Sequence, residues 1–331
     1  MRSAKVSPGW PSRASSSATS DRVPHPSPVR LARVHADVLR WYAVHARPLP
    51  WRAPGTSPWG VYVSEIMAQQ TPVARVEPVW REWLTRWPTP ADLAAATPGD
   101  AVRAWGRLGY PRRALRLHDA ARVMVDRHDG QVPTELTDLL ALPGVGAYAA
   151  AAVACFAHGI PEAVVDTNVR RVLARAITGT ALAAPTLTAA ETALAVAALP
   201  ADHDDALTWN VAVMELGALV CTARAPRCEV CPIRSECAWQ LAGAPPDAGP
   251  ARRGQAWVGT DRQARGALLQ ALRDAPGTVR SMTLEAVWPD PIQRARCLDG
   301  LVADGLVEPL AGQRFRLPGW PLAPDRQATI G

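Results

Sequence analysis

Four cysteines near residue 230 are spaced closely enough for their sulfur atoms to bind one metal centre. They are Cys221, Cys228, Cys231 and Cys237, in the pattern C-x6-C-x2-C-x5-C. Four thiols crowded in this way rarely form two useful disulfides, so the pattern indicates either an iron–sulfur cluster or a tetrahedral zinc. A metal loop in place of a disulfide framework also predicts a reducing, cytoplasmic setting.

A glycine-rich turn, Leu142-Pro143-Gly144-Val145-Gly146, is the second candidate site. Gly144 and Gly146 permit a positive φ angle and a close backbone approach that a Cβ would obstruct. The helix that follows would present unpaired backbone N–H groups at its positive end, where a phosphate can bind. An ordinary helix–helix turn can have the same sequence, so the turn alone does not decide between the two interpretations.

The composition favours a polyanionic partner and excludes one kind of catalysis. The 331-residue chain is 48% hydrophobic, has a net charge of +6 and contains no apolar run long enough to cross a bilayer. Its pI is about 9.3. Lys5 is the only lysine, and it lies in the predicted tail. The folded part therefore has no lysine amine that could form a Schiff base with an aldehyde sugar.

The elements that would position these residues are predicted to be helical throughout residues 29–240. Residues 1–28 are rich in Ser, Pro and Arg and predict a disordered tail. Apolar residues then recur at helical spacing, with Pro and Gly breaks between the segments. The predicted helices are 30–46, 60–70, 73–86, 99–108, 113–127, 147–158, 167–177, 187–199 and 205–220. An all-α domain is therefore expected.

The C-terminal part predicts a separate small α+β unit. Residues 241–259 have the composition of a linker, and residues 260–320 are expected to form a winged-helix-like domain. Its predicted elements are helices 261–273, 281–288 and 292–304 and strands 305–309 and 313–317. Two interpretations stay open, a domain that contacts DNA and a packing domain that does not.

Combined, three motifs resemble those of the helix-hairpin-helix DNA glycosylases that carry an iron–sulfur cluster. They are the glycine turn, the segment Val165-Asp166-Thr167-Asn168-Val169-Arg170-Arg171 and the cysteine loop 221–237. The resemblance covers about residues 30–240. It implies two helical subdomains with a flipped base between them and a [4Fe–4S] cluster on the four cysteines. It also implies that Gly144, Val145 and Gly146 contact the DNA backbone.

Two positions place the chain within that family. The run Ser64-Glu65-Ile66-Met67-Ala68-Gln69-Gln70-Thr71 resembles the adenine DNA glycosylases, although Ala68 stands where leucine is common. Tyr148 occupies the place where endonuclease III-like enzymes have a nucleophilic lysine. The resemblance therefore implies a monofunctional, water-using glycosylase that removes adenine paired with 8-oxoguanine or guanine in double-stranded DNA.

The chemistry of adenine removal gives each candidate catalytic residue a role. Purine leaves poorly unless a ring nitrogen is protonated, so Glu65 is the candidate acid. Bond cleavage leaves an oxocarbenium-like sugar, and Asp166 is the candidate anion that stabilises it. Tyr148 and Asn168 are expected to make supporting hydrogen bonds at the sugar and the leaving base.

Base flipping requires side chains that fill the vacated stack. The resemblance implies that Gln70 and Tyr110 fill this space. Thr71 is also expected to bind DNA. Three arginines of the following helix could contact phosphate or could line an ordinary solvated face: Arg112, Arg113 and Arg116.

Two other functions stay open, a mismatch thymine/uracil glycosylase on the same scaffold and a non-enzymatic, metal-containing DNA-binding regulator. The C-terminal residues 241–331 are too short and too helical for the Nudix-like domain found in many adenine DNA glycosylases. We further expect a monomer that does not bind membranes and is located in the cytoplasm, associated with the nucleoid.

Overall fold

The structure, a computed structural model that describes residues 27–247, 249 and 257–319, is mainly helical in this part of the chain. Its helices are α1 (Pro28–His45), α2 (Pro58–Ala68), α3 (Val73–Arg86), α4 (Pro90–Ala95), α5 (Pro98–Ala104), α6 (Arg112–Arg127), α7 (Leu136–Ala141), α8 (Ala147–His158), α9 (Thr167–Leu173), α10 (Ala189–Ala197), α11 (His203–Leu219), α12 (Ala238–Leu241), α13 (Asp261–Asp274), α14 (Ser281–Val287) and α15 (Pro291–Ala303). The predicted all-α fold with a small C-terminal α+β unit is confirmed.

Capping residues explain where several of these helices begin. Thr89 and Thr97 each form a capping box with the aspartate three residues later, and each is followed by a proline at the first helical position. Ser57 accepts a hydrogen bond from the Gly60 amide and starts α2 in the same way. Ser57 therefore defines the start of the helix that carries Glu65.

Two predicted helices end four residues earlier than expected. The one predicted over 99–108 ends at Ala104, because the chain turns through Gly106 and Gly109, both with positive φ. The one predicted over 167–177 ends as an α-helix at Leu173 and continues as the π-helical segment Ala174–Thr178. The first of these differences leaves a loop before α6, and this loop carries Tyr110.

In the described part of the chain, the helices pack around two large hydrophobic cores, and a smaller cluster lies at Ala151, Ala152, Cys155 and Val164. The first core is formed by α2–α8 and includes the buried tryptophans Trp83 and Trp105. The second is formed by α1 and α9–α11, with Trp41 and Trp209 among its buried residues. The chain crosses between the cores just before α2 and again between α8 and α9, so residues at these crossings face both subdomains.

The C-terminal unit contains a three-stranded antiparallel sheet beside α13–α15. The strands are β1 (Val279–Arg280), β2 (Glu308–Leu310) and β3 (Arg314–Arg316), in the order β1-β3-β2. Phe315 pairs with Val279 on one side and Pro309 on the other. The two predicted strands are present as β2 and β3 but are shorter. Strand β1 was not predicted, because two residues are too few to show an alternation of apolar and polar side chains.

This unit packs on the first core. Arg273 of α13 is buried and donates from Nε to the Val102 carbonyl (2.8 Å), and Arg103 donates back to the Ala275 carbonyl (2.9 Å). The Gly99 amide donates to the Pro318 carbonyl at 2.7 Å. The unit is therefore attached to α5 through backbone carbonyls as well as through apolar contacts.

Several predictions concern residues outside the described part. The predicted tail 1–28 is described only from residue 27, and much of the predicted linker 241–259 and the last residue of the 260–320 unit also lie outside it. The domain boundaries therefore stay predictions. Among the described helices, none has the length and hydropathy needed to span a membrane.

Candidate functional site

Glu65 lies in the last turn of α2, where the first core meets the crossing segments. Its side chain is buried, in a helix whose residues from Trp59 to Met67 are all buried. The phenol of Tyr148, in the first turn of α8, donates a hydrogen bond to Glu65 Oε2 at 2.8 Å. The glycine turn that precedes α8 therefore positions the partner of this carboxyl group.

Burial raises the pKa of Glu65 from 4.5 to about 7. The Tyr148 hydrogen bond and the nearby charge of Arg52 act in the opposite direction, and the negative charge of Asp166 adds to the rise. The carboxyl group is therefore partly protonated near neutral pH. It can donate a proton, and Asp166 lies near enough for its charge to act on this pKa.

Asp166 is the N-cap of α9 and enters the site from the second subdomain. Its Oδ1 accepts the Val169 amide at 2.6 Å, and its Oδ2 accepts Asn168 Nδ2 at 2.7 Å. Burial raises the pKa of this carboxyl, while these two hydrogen bonds and the charge of Arg171 lower it. The bonds favour the ionised form, but burial outweighs them, so the pKa of Asp166 lies above its ordinary value.

Asn168 is held in place by three neighbours. Besides donating to Asp166, it accepts a hydrogen bond at Oδ1 from Arg171 Nη2 (2.8 Å). Arg171 in turn donates to the Gly217 carbonyl of α11 (2.6 Å). A Cβ at Gly217 would lie 2.7 Å from the Asn168 Cβ, so only glycine permits this approach of α9 to α11.

A third buried carboxylate, Glu215 of α11, was missed by the sequence analysis. Arg47 donates to both its oxygens (2.7 and 2.8 Å), and Arg52 donates to Oε1 at 2.7 Å. Burial acts to raise the pKa of Glu215, but the two arginines outweigh it and the pKa lies below its ordinary value. Arg52 is thereby fixed beside Glu65. In the sequence, the feature that could have indicated this site is a single acidic residue within the apolar run of α11.

The glycine turn between α7 and α8 has the geometry expected of a backbone-binding hairpin. Gly144 has a φ of 80°, and the Val145 amide closes the turn by donating to the Leu142 carbonyl (3.1 Å). Gly146 is exposed and is the N-cap of α8. A Cβ on Gly144 would lie 2.6 Å from Arg116 Cδ, so the stem of this exposed arginine crosses the turn.

Gln70 and Tyr110 both lie in loops with left-handed backbone conformations. Their φ angles are 54° and 47°, values that non-glycine residues rarely adopt. Tyr110 is 55% exposed, which excludes a role as a core aromatic. Strained, exposed residues of this kind cluster at ligand-binding positions, and the geometry is compatible with the predicted insertion into DNA.

Two predictions about neighbouring residues are wrong. The side chain of Thr71 does not face a DNA surface: it is buried, and its hydroxyl donates to the Leu108 carbonyl at 3.0 Å. Arg113 is 6% exposed, so it neither contacts phosphate nor lines a solvated face. Both side chains turn inward because the carbonyl groups of two loops converge on them, a long-range contact that spacing along the chain does not show. Arg112 is exposed and pairs with Asp304 at 3.2 Å.

The four cysteines line one shared pocket. Arg175 donates to Cys221 Sγ at 3.3 Å and Gln240 to Cys228 Sγ at 3.2 Å. N–H donors directed at sulfur suit thiolate ligands of a cluster. Among the described residues, no three His, Cys, Asp or Glu side chains are arranged to hold a single metal ion. Four thiols around one pocket, two of them facing N–H donors, fit an iron–sulfur cluster.

Comparison with known families gives two matches. Residues 63–194 match the HhH-GPD superfamily of base excision DNA repair proteins. Residues 221–237 match the iron–sulfur binding domain of endonuclease III. The first match contains Glu65, Tyr148 and Asp166, and the second begins and ends at the outer two of the four cysteines.

Individual relatives and a solved structure are also similar. The chain is 54% identical over 285 residues to an adenine DNA glycosylase of Mycolicibacterium smegmatis, a match that covers 86% of this chain and 95% of the relative. It is 52% identical over 284 residues to one of Mycobacterium tuberculosis, covering 86% and 93%. A thermostable thymine-DNA glycosylase aligns with a TM-score of 0.58 and 26% identity, over 65% of this chain and 98% of that structure.

Proposed function

The chain belongs to the adenine DNA glycosylases of the helix-hairpin-helix superfamily, and we propose that it removes adenine paired with 8-oxoguanine or guanine by hydrolysis after base flipping. The observation that carries this proposal is the state of Glu65. A buried carboxyl group with a pKa of about 7 can protonate a purine ring nitrogen at neutral pH. The four cysteines hold an iron–sulfur cluster of the [4Fe–4S] type, which this family match implies.

Glu65 and Asp166 divide the chemistry between them. Glu65 gives its proton to the adenine ring as the C–N bond weakens, which makes the base a better leaving group. Asp166 faces the positive charge that then develops on the sugar and stabilises it as an anion. The Tyr148 hydroxyl keeps Glu65 oriented, and Asn168 does the same for Asp166.

Water, and not a protein amine, completes the reaction. Tyr148 occupies the position near Glu65 at which a lysine would be needed for a Schiff base, and a phenol cannot form one. Lys5 is the only lysine of the chain. Borohydride should therefore fail to trap a covalent adduct between the protein and DNA.

DNA is held from the side that carries the hairpin and the two strained loops. The first-turn amides of α8 and the guanidinium of Arg116 can contact phosphate, which fixes the position of the duplex without reading its sequence. Gln70 and Tyr110 would fill the space left by the flipped adenine. The monomeric state and the cytoplasmic, nucleoid-associated location expected from the sequence stay predictions.

The test is a single-turnover excision assay with A, G, T and U each placed opposite the four normal bases and 8-oxoguanine. We expect cleavage of adenine, fastest opposite 8-oxoguanine or guanine. Faster removal of thymine or uracil would instead support the mismatch pyrimidine glycosylase. Glu82→Gln, which changes an exposed glutamate of α3, serves as the control for effects of surface charge.

The assay on 8-oxoguanine also addresses the C-terminal unit. Because this unit shares the first core with α5, deleting it would expose apolar surface as well as remove any DNA contacts. Replacing exposed arginines of the sheet, such as Arg314, by alanine is therefore the cleaner variant. Loss of the preference for 8-oxoguanine over guanine would assign lesion recognition to the unit, and an unchanged preference would leave it to the helical domain.

A further inference from the structure

Arg113, the second residue of α6, is buried between two loops that the proposed function assigns to DNA. One of its guanidinium nitrogens, Nη1, faces the end of α2 and the loop that follows. It donates to the carbonyl oxygens of Ile66 (2.9 Å), Met67 (3.0 Å) and Gln69 (2.7 Å). A cation at this place satisfies carbonyl groups that have no partner within the helix and interacts favourably with the helix dipole.

The other terminal nitrogen of Arg113, Nη2, faces the second loop. It donates to the Gly109 carbonyl at 3.0 Å and to Thr71 Oγ1 at 2.9 Å. The Thr71 hydroxyl itself donates to the Leu108 carbonyl at 3.0 Å. One guanidinium and one hydroxyl therefore tie the chain at 69–71 to the chain at 108–109.

The residues next to these acceptors have unusual backbone conformations. Gln70 directly follows Gln69 and has a φ of 54°, and Tyr110 directly follows Gly109 and has a φ of 47°. Such conformations cost free energy and persist only when the surroundings enforce them. The Arg113 guanidinium also lies 5.6 Å from the centre of the Tyr110 ring, within cation–π range.

We propose that Arg113 is the positioning residue that holds Gln70 and Tyr110 together in the conformation in which both enter the base stack. It acts on base extrusion and not on the chemical step. The inference rests on the proposed function of these two side chains. Lysine cannot replace arginine here, because a single ammonium cannot reach acceptors spread over two loops as the planar guanidinium does.

The experiment compares two duplexes that differ in the cost of extruding adenine. In one, adenine is paired with guanine, and in the other it stands opposite a tetrahydrofuran abasic analogue and has no pairing partner. Extrusion from a pair costs a few kcal/mol, so Arg113→Met and Arg113→Lys should each slow excision of paired adenine by about tenfold or more. Excision of the unpaired adenine should fall by no more than about threefold, because most of that cost is absent.

A second readout follows extrusion without cleavage. With 2-aminopurine in place of adenine opposite guanine, fluorescence rises when the base leaves the stack, and this rise should shrink in both variants. If the wild-type protein excises no adenine but the fluorescence of the 2-aminopurine duplex still rises, the proposed function fails. The role of Arg113 is then judged from the fluorescence alone. Thr71→Val removes only the hydroxyl bridge and should cause a smaller loss with the same dependence on substrate.

Arg122→Met is the matched control, because Arg122 is an exposed arginine of the same helix. If Arg113→Met fails to fold, the lysine and Thr71→Val variants carry the comparison. The proposal is overturned if both duplexes are slowed equally in folded variants, which would place the effect on Glu65 or on the fold in general. It is also overturned if excision of paired adenine is unchanged.

Discussion

The two carboxyl groups of the site come from different subdomains and differ in their hydrogen-bond donors. Glu65 belongs to the first core, and its strongest contact is one hydrogen bond from Tyr148. Asp166 opens a helix of the second subdomain and accepts bonds from a backbone amide and from Asn168. Burial raises the pKa of both, to about 7 for Glu65, while the added donors oppose the rise at Asp166. Glu65 can therefore give a proton near neutral pH, whereas the donors around Asp166 favour its ionised form against the effect of burial.

Replacing Glu65 by glutamine tests the role of this residue as proton donor and should have the largest effect. The amide keeps the shape of the side chain but cannot give up a proton in this pH range, so the single-turnover excision rate should fall by about a hundred- to ten-thousandfold. Binding to adenine-mismatch DNA, measured by fluorescence anisotropy, should stay within a few-fold of wild type. A variant that retains excision would remove Glu65 from the role of acid.

Asp166→Asn tests the role of Asp166 as an anion and should have the next largest effect. Its Oδ1 can still accept the Val169 amide, so the helix start survives, while the negative charge and the bond accepted from Asn168 are lost. We expect single-turnover excision to slow by about a hundred- to thousandfold. Asp202→Asn is the matched control, because Asp202 caps α11 in the same manner. Equal losses in the two variants would show that helix capping, and not charge, is what matters at Asp166.

The raised pKa of Glu65 should also appear as a pH-dependent cost in stability. The unfolded chain has the ordinary value of 4.5 and the folded protein about 7, so the folded state binds this proton more tightly. The corresponding stability is present below pH 4.5 and is lost as the pH rises through 7. At pH 8, the free energy of unfolding of Glu65→Gln should therefore be about 2 to 4 kcal/mol larger than that of wild type.

Urea unfolding at several pH values measures this difference. The two proteins should converge toward pH 5, where Glu65 is protonated in the folded state. A difference that does not change between pH 5 and pH 8 would contradict the assignment of the raised pKa to this carboxyl group.

Tyr148→Phe tests the hydrogen bond to Glu65 and should have the smallest effect on the rate. The phenol hydrogen bond lowers the pKa of Glu65, so its removal should move that pKa further upward. We expect a rate loss of about tenfold or less at neutral pH and a shift of the alkaline limb of the pH–rate profile to higher pH. Tyr62→Phe removes another buried phenol from α2 and should leave the profile in place. A shift of the limb to lower pH would be inconsistent with the hydrogen bond in the structure.

Local signals carried much of the fold and the chemistry of the site. Thr-Pro pairs at 89–90 and 97–98 mark true helix starts, although the first of them begins α4, a helix that the hydrophobic spacing did not predict. The order and spacing of the cysteines indicated the cluster loop, and the resemblance brought Glu65, Tyr148 and Asp166 together. These features depend on nearby residues or on motifs, which a sequence displays directly.

The remaining features depend on contacts between distant parts of the chain. Arg113 was expected at the surface, yet the convergence of loops at 66–71 and 108–109 buries it. Arg52 and Glu215 are 163 residues apart and meet only when α11 packs beside the crossing segment. No helical spacing encodes such pairings, because they arise from tertiary packing.

The most direct test of the contrast between the two acids is infrared difference spectroscopy of wild type against Glu65→Gln as a function of pH. The difference isolates the carbonyl stretch of a protonated Glu65. We predict a protonated-carboxyl band that is present at pH 5 and disappears with a midpoint of about 7. A midpoint near the ordinary value of 4.5, or no such band at pH 5, would contradict the proposal that Glu65 is held ready to protonate the base.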